Sequence, residues 1–430
     1  MKKTGSLFIF LFIIILFPFA PGIAEAEVLS SLEEIAAYAS ANNLTVRASL
    51  LQAAKAEDDI ISALKLKFSE VTGDFQYSDT QDNSGWTNTG KITLPILDQI
   101  SISGQIDTNM NYQFGISLNP LAHSDTDEQA VISYQSALLK VENERLSAEQ
   151  SAVQSALSWM TALKDLEIQE ESTALKKTLY DDEKIRYERG EVTLDDVQTA
   201  LLEWSEARSQ VSGKQEALRQ AETALYSALG MGTEVISIEP LTTGDLRKAL
   251  LKIQEQVSPD TADPVSAYSV QSSYLQIESS QVKLKNTWIF DPGLSANANL
   301  GFDTNNQMVL SAGVSVSFSP DNINASDRDE MKQDLALSRV QTEQSVRESS
   351  LALQQAVDSL SSSRLNRKVA EIELEQAEAL VSEAEFLRNT GDFSDLELEE
   401  TYLTLRKAEN SLFQAYAEEY KAWLAIKAFL

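Results

Sequence analysis

Two long stretches, Glu128 to Arg189 and Asp327 to Arg388, contain neither Pro nor Gly, the two residues that most readily end a helix. In the first, Ile132, Leu139, Leu146, Val153, Leu157, Met160 and Leu163 follow one another at steps of three, four or seven. In the second, Val346, Leu353 and Leu360 keep a seven-residue step that Leu365, Val369 and Ile372 continue. Sustained seven-residue spacing is a coiled-coil signature. At 1.5 Å per residue each helix would reach roughly 90 Å, far beyond what a compact globular domain accommodates. Extended helical hairpins are the architecture open to such a chain.

Both stretches end in the same short phrase, about 200 positions apart: Gly190-Glu-Val192-Thr193-Leu-Asp-Asp196-Val197 and Gly391-Asp-Phe393-Ser394-Asp-Leu-Glu397-Leu398. A residue with positive φ just past a helix is least costly as Gly, which assigns Gly190 and Gly391 to the helix ends. Thr193 and Ser394 are then placed to cap the next helix, with Asp196 and Glu397 three positions on completing capping boxes. Val192 and Phe393 stand where a staple residue packs on Val197 and Leu398. The returning helices are expected over Thr193 to Leu229 and Ser394 to Leu430. A duplication on this scale divides the mature chain into two related halves, 27–245 and 246–430. Between the hairpins, residues 230–264 hold Gly230, Gly232, Pro240, Gly244, Pro259 and Pro264 and read as a linker with a short helix near Leu246 to Val257.

Ahead of each long helix the period changes from 3.6 to 2. Val71, Gly73, Phe75 and Tyr77 alternate with polar residues, as do Met110, Tyr112, Phe114, Ile116 and Leu118. The second half repeats the pattern with Leu294, Ala296, Ala298, Leu300 and Phe302, then Leu310, Ala312, Val314, Val316 and Phe318. These four runs read as strands with one apolar face and one face of Ser, Asn, Gly and Gln. Their length suits a tilted membrane strand, and equally a soluble antiparallel sheet packed on helices. Residues 79–109 read as a long polar loop with a small hairpin at Lys91 to Leu94 and Ile100 to Ile102. Residues 32–67 read as one helix preceding the first strand.

The chain opens Met1-Lys2-Lys3, runs through an apolar block from Leu7 to Ala20 and reaches Ala24-Glu25-Ala26. That is the pattern of a secretory signal peptide, expected over 1–26, and the block is too short for a spanning helix. Its removal takes away two positive charges and one negative, moving the formal charge from −30 to −31. So acidic a chain is poorly suited to nucleic acid, whose binding rests on neutralising phosphates. The chain has no Cys and one His, His123, which argues against disulfides, a Cys or His metal cluster and His-based catalysis. No nucleophile set or phosphate loop is visible. The expectation is a protein with no enzymatic activity, no cofactor and no bound metal.

The tips are acidic, with Glu191, Asp195 and Asp196 at the first and Asp392, Asp395, Glu397, Glu399 and Glu400 at the second. Acids suit the first turn of a helix because of its macrodipole. They would also form a cation-selecting ring if several copies met there.

Four strands cannot close a membrane barrel, since the smallest closed forms use about eight. At this point the chain resembles the TolC-like outer-membrane factors, the outer membrane efflux protein family. The resemblance rests on the signal peptide, the strand pairs, the phrase Gly115-Ile-Ser-Leu-Asn-Pro120-Leu121 leading into a long helix, and the duplicated turns followed by Ala207 and Ala408 at one offset. It covers essentially the whole mature chain.

The resemblance implies a mainly α fold with a small β part. Long antiparallel helical hairpins would form a trimeric α-barrel, and four strands per chain would contribute to a twelve-stranded transmembrane β-barrel. It implies a homotrimer in the outer membrane extending into the periplasm, coupled through a periplasmic adaptor protein to an inner-membrane pump or ATPase. The tips Gly190, Val192, Thr193, Gly391, Phe393 and Ser394 would dock the adaptor. Glu397 and Glu400, with Asp196 at the other tip, are candidates for a narrowed tunnel entrance. The Tyr expected three positions before each turn glycine is present as Tyr187 and replaced by Arg388 in the second copy. The competing readings are an exported soluble coiled-coil scaffold or adhesin and, less in keeping with two hairpins, a periplasmic adaptor.

Overall fold

The computed structural model describes residues 28–64, 70–80, 83–97, 100–107, 112–118, 126–230, 237–286, 293–302, 308–317, 325–391 and 393–430. The expected signal peptide, His123 and Asp392 lie outside them.

The long helices form as their sequences require. Helix α3 runs Thr126–Glu188 and returns as α4, Leu194–Leu229; α7 runs Ala325–Thr390 and returns as α8, Asp395–Lys427. At 63 and 66 residues, α3 and α7 are each nearly 100 Å long at about 1.5 Å per residue. Among the described residues, no helix is long and apolar enough to cross a membrane.

The expected single helix over 32–67 is instead two, α1 (Leu32–Asn42) and α2 (Leu44–Leu64). Asn43 makes the break. Its backbone leaves the helical region at ψ 136°, its side-chain oxygen accepts from Thr45 N–H at 2.9 Å, and its amide donates to the Ala228 carbonyl at 2.9 Å. The kink thus docks on the end of α4, where Gly230 lies at φ 72° and a Cβ would come within 2.8 Å of the Asn42 carbonyl and the Asn43 Cα.

The linker contains the expected short helix, α5 (Thr243–Gln256), started by a Thr242–Asp245 capping box. Two short strands, β1 (Val28–Leu29) and β6 (Ser237–Ile238), pair in parallel beside it. The principal apolar core lies here, at the waist of the hairpins. Leu32 and Ile35 of α1, Leu157 and Met160 of α3, Leu225 and Leu229 of α4, Leu246 and Leu250 of α5, Leu360 of α7 and Phe413, Trp423 and Ile426 of α8 are buried together. Helix α6 (Tyr268–Asn286) completes the set and packs on α7.

The second sheet departs from expectation. It has six antiparallel strands in the order β2-β3-β4-β5-β7-β8: Glu70–Thr80, Asn83–Leu97, Ile100–Asp107, Tyr112–Leu118, Gly293–Phe302 and Met308–Ser317. β2, β5, β7 and β8 are the four strands that alternation identified. β3 and β4 occupy the segment read as a loop with a small hairpin, and β3 alone is 15 residues long. Asn and Gly fall on both parities of β3, at Asn83 and Asn88 and at Gly85 and Gly90, so alternation in its first half is weak and the strand is concealed.

Candidate functional site at the hairpin tips

At the first tip, the Glu191 N–H donates to the Arg186 carbonyl and the Gly190 N–H to the Tyr187 carbonyl, both at 2.9 Å. With Gly190 at φ 77°, this is a Schellman ending. Helix α4 then starts from Thr193, whose backbone N–H and hydroxyl both donate to Asp196 Oδ2 at 2.7 Å, while the Asp196 N–H donates back to Thr193 Oγ1 at 3.3 Å. Val197 is buried and Val192 half-buried, as a staple requires.

The second tip repeats this chemistry. Gly391 lies at φ 85°. The Ser394 N–H and hydroxyl donate to Glu397 Oε2 at 2.8 and 2.7 Å, and the Glu397 N–H returns a bond to Ser394 Oγ at 3.2 Å. Leu398 is buried and Phe393 half-buried.

Electrostatics at the tips follows from these bonds. The Thr193 hydroxyl, and then its backbone N–H, hold the Asp196 carboxyl below its ordinary value. The Ser394 backbone N–H, and then its hydroxyl, do the same for Glu397. Both acids are therefore charged at neutral pH with their carboxylates engaged inside their own turns. The structure brings Phe393, Glu397 and Glu400 together along one groove of about 410 Å³ between α7 and α8.

Other tip residues escaped sequence reasoning. Arg388 occupies the position of the missing Tyr and pairs with Asp395 at 2.6 Å across the turn. One turn deeper, the Tyr402 hydroxyl donates to Glu385 at 2.5 Å. In the first hairpin the corresponding cross-links are a stacked pair, Tyr180 on Trp204 with centroids 5.6 Å apart, and Lys176 with Glu203 at 2.6 Å.

Toward the waist, polar bonds join the two hairpins. Asp165 of α3 accepts from Asn410 at 2.7 Å and Gln414 at 3.2 Å, both on α8, and from Lys214 of α4 at 2.7 Å. Arg406 reaches Glu171 at 3.1 Å, and a groove of about 690 Å³ between α3 and α8 involves that pair and Tyr402. Glu419 is fully buried and held by Arg367 at 2.6 Å and Arg364 at 3.5 Å, with the two guanidiniums lying over Tyr416 and Trp423. Burial works against the Arg367 charge, but Glu419 and Glu371 outweigh it and raise the guanidinium above its usual range. The partners that join Asp165, Glu171 and Glu419 to neighbouring helices lie 49 to 249 residues apart, and no local sequence signal marks them.

No protein-family model matches the chain, and no curated protein matches it in sequence. Solved structures do. The Campylobacter jejuni CmeC outer membrane channel superposes with a TM-score of 0.62 at 13% identity, over 93% of this chain and 85% of that one. The fold is that of the TolC-like outer-membrane channels. VceC, an outer membrane protein of Vibrio cholerae, matches at 0.58 with 14% identity over 93% and 95% of the two chains. The open-state MtrE channel of Neisseria gonorrhoeae matches at 0.59 with 10% identity over 93% and 88%. The correspondence covers 93% of this chain, so both long helical hairpins belong to this fold.

Proposed function

We propose that this protein is an outer-membrane channel, the exit duct of a tripartite efflux or type I secretion system, located in the cell outer membrane and extending into the periplasm. The observation that carries this reading is a sheet with an uncovered apolar face on helices far too long to lie within a membrane. Phe114, Ile116, Met308, Leu310 and Val314 are between 50% and 73% exposed on that sheet. An exposed apolar sheet face with open edges is an aggregation hazard in water and a suitable surface in lipid.

The assembly is a homotrimer. Six strands are too few to close a barrel, and α7 leaves Leu337, Val340, Leu351, Leu365, Val369 and Ile372 exposed at coiled-coil steps for a neighbouring copy. The two halves, 27–245 and 246–430, each supply one hairpin and one set of strands to it. The channel is passive, and small molecules, metal ions or polypeptides pass under energy from an inner-membrane pump or ATPase. Gly190, Val192, Thr193, Gly391, Phe393 and Ser394 dock a periplasmic adaptor, and Glu397, Glu400 and Asp196 form the acidic entrance.

Fractionation tests the channel reading: a trimer is expected in the outer-membrane fraction, and a soluble periplasmic monomer would overturn it. For the entrance, Glu400→Gln is the informative variant, because Glu397→Ala also removes a cap. Reduced cation selectivity in planar bilayers is expected, and unchanged single-channel behaviour rejects the role of Glu400.

A further inference from the structure

Three observations concern how many staves each chain gives the barrel. The first is direction. β2 leaves from α2, β5 leads to α3, β7 follows α6 and β8 leads to α7, so one rim of the sheet faces the helices. β3 ends at Leu97 and β4 begins at Ile100, with Leu97 paired to Ile100 and Ile100 to Leu118, the last residue of β5. The β3–β4 hairpin therefore turns back at the helix-side rim, as a full stave does.

The second is pairing. β3 matches β2 from Glu70↔Thr93 to Thr80↔Asn83, and β4 matches β5 from Ile100↔Leu118 to Ile106↔Tyr112. The hairpin is thus hydrogen-bonded on both outer sides and separates β2 from β5; a flap outside the sheet would leave them adjacent.

The third is continuity of face. One row runs Ile102, Ile116, Ala298, Ala312, and the row beside it Gly104, Phe114, Leu300, Leu310. The opposite parity runs Ser103, Gly115, Asn299, Ser311. Ile102 is 38% exposed on the same face as Phe114 and Ile116. β4 thus continues both the apolar and the small polar rows of β5.

We propose that all six strands are barrel staves, so that three copies close an eighteen-stranded barrel, six from each chain, in place of the twelve-stranded one expected from four; this rests on the channel reading above. The free edges fit. β2 and β8 run in opposite directions, so β8 of one copy meets β2 of the next antiparallel. Barrel diameter grows roughly linearly with strand number, making this barrel about 1.5-fold wider, with about twice the cross-section. Barrels of 16–18 strands leave an aqueous channel. Bulky solutes, polypeptides among them, then meet their narrowest point at the helical tips and not in the membrane.

The chain has no Cys, so single cysteines in the full-length protein report cleanly. In phospholipid vesicles, a water-soluble maleimide should label Ser103→Cys roughly tenfold or more faster than Ile102→Cys, because burial in an apolar medium suppresses the reactive thiolate. Gly115→Cys against Phe114→Cys and Ile116→Cys gives the reference in β5. Uniform fast labelling in β4 with alternation in β5 overturns the eighteen-stranded barrel and leaves the channel standing. Uniform labelling in both overturns both. Chemical cross-linking should give a species of three chain masses, and any other stoichiometry also overturns the count of eighteen.

Discussion

At the first tip, α3 and α4 are held above their turn by Tyr180 stacked on Trp204; at the second, α7 and α8 are held by Arg388 with Asp395 and by Tyr402 with Glu385. The turns themselves are nearly superimposable in chemistry, each with a positive-φ Gly and a hydroxyl–acid capping box. The first tip thus adds an aromatic stack, which salt does not screen, to its exposed ion pair Lys176–Glu203, whereas the second is clasped by exposed charge and a hydrogen bond to a carboxylate. The difference should make the second tip the more responsive to ionic strength and acid.

Hydrogen exchange on the full-length protein, read separately at the two hairpin ends, can break this comparison. The largest and most nearly equal effects are expected from Gly190→Ala and Gly391→Ala. No neighbour lies within 4 Å of an added Cβ at either site, so each should cost only the left-handed backbone penalty, about 1–2 kcal/mol. A large disparity would show that the turns are not equivalent. Thr193→Ala and Ser394→Ala should each cost about 1 kcal/mol locally. Trp204→Ala should loosen the first tip alone by about 1 kcal/mol beyond its lost area. Arg388→Ala should loosen the second by roughly 0.5 kcal/mol or less, because both partners are more than half exposed, and molar salt should mimic it there while loosening the first tip less, since the Tyr180–Trp204 stack persists beside its ion pairs.

Acid supplies the finest comparison. Both capping carboxyls are depressed in the folded protein, so their stabilisation is complete above the ordinary values, 4.5 for Glu397 and 3.8 for Asp196, and is lost as pH falls through the folded ones. The second tip should begin to loosen at the higher pH. Loosening of the first tip before the second would contradict this account.

Much of this was legible because it is local or periodic. The long helices lie within three residues of their expected starts and ends, and both capping boxes were readable from Thr193-x-x-Asp196 and Ser394-x-x-Glu397. The break at Asn43 was not, because an Asn amid helix formers is ordinary until Ala228 and Gly230 are placed beside it. β3 was hidden by Asn and Gly at both parities of its first half. Arg388 looked like the loss of a Tyr; the structure gives it a partner of its own.

From its sequence alone the chain determined that it has two helical hairpins, where each turns, and which strands have an apolar face, because capping and periodicity act over a few residues. Only the tertiary structure decided that β5 pairs with β7 at Tyr112↔Phe302, that Glu419 is buried between two arginines, and that six strands rather than four share one sheet. Those partners meet through register and helix packing across long stretches of chain, and an alternating pattern specifies a face without naming the strand beside it.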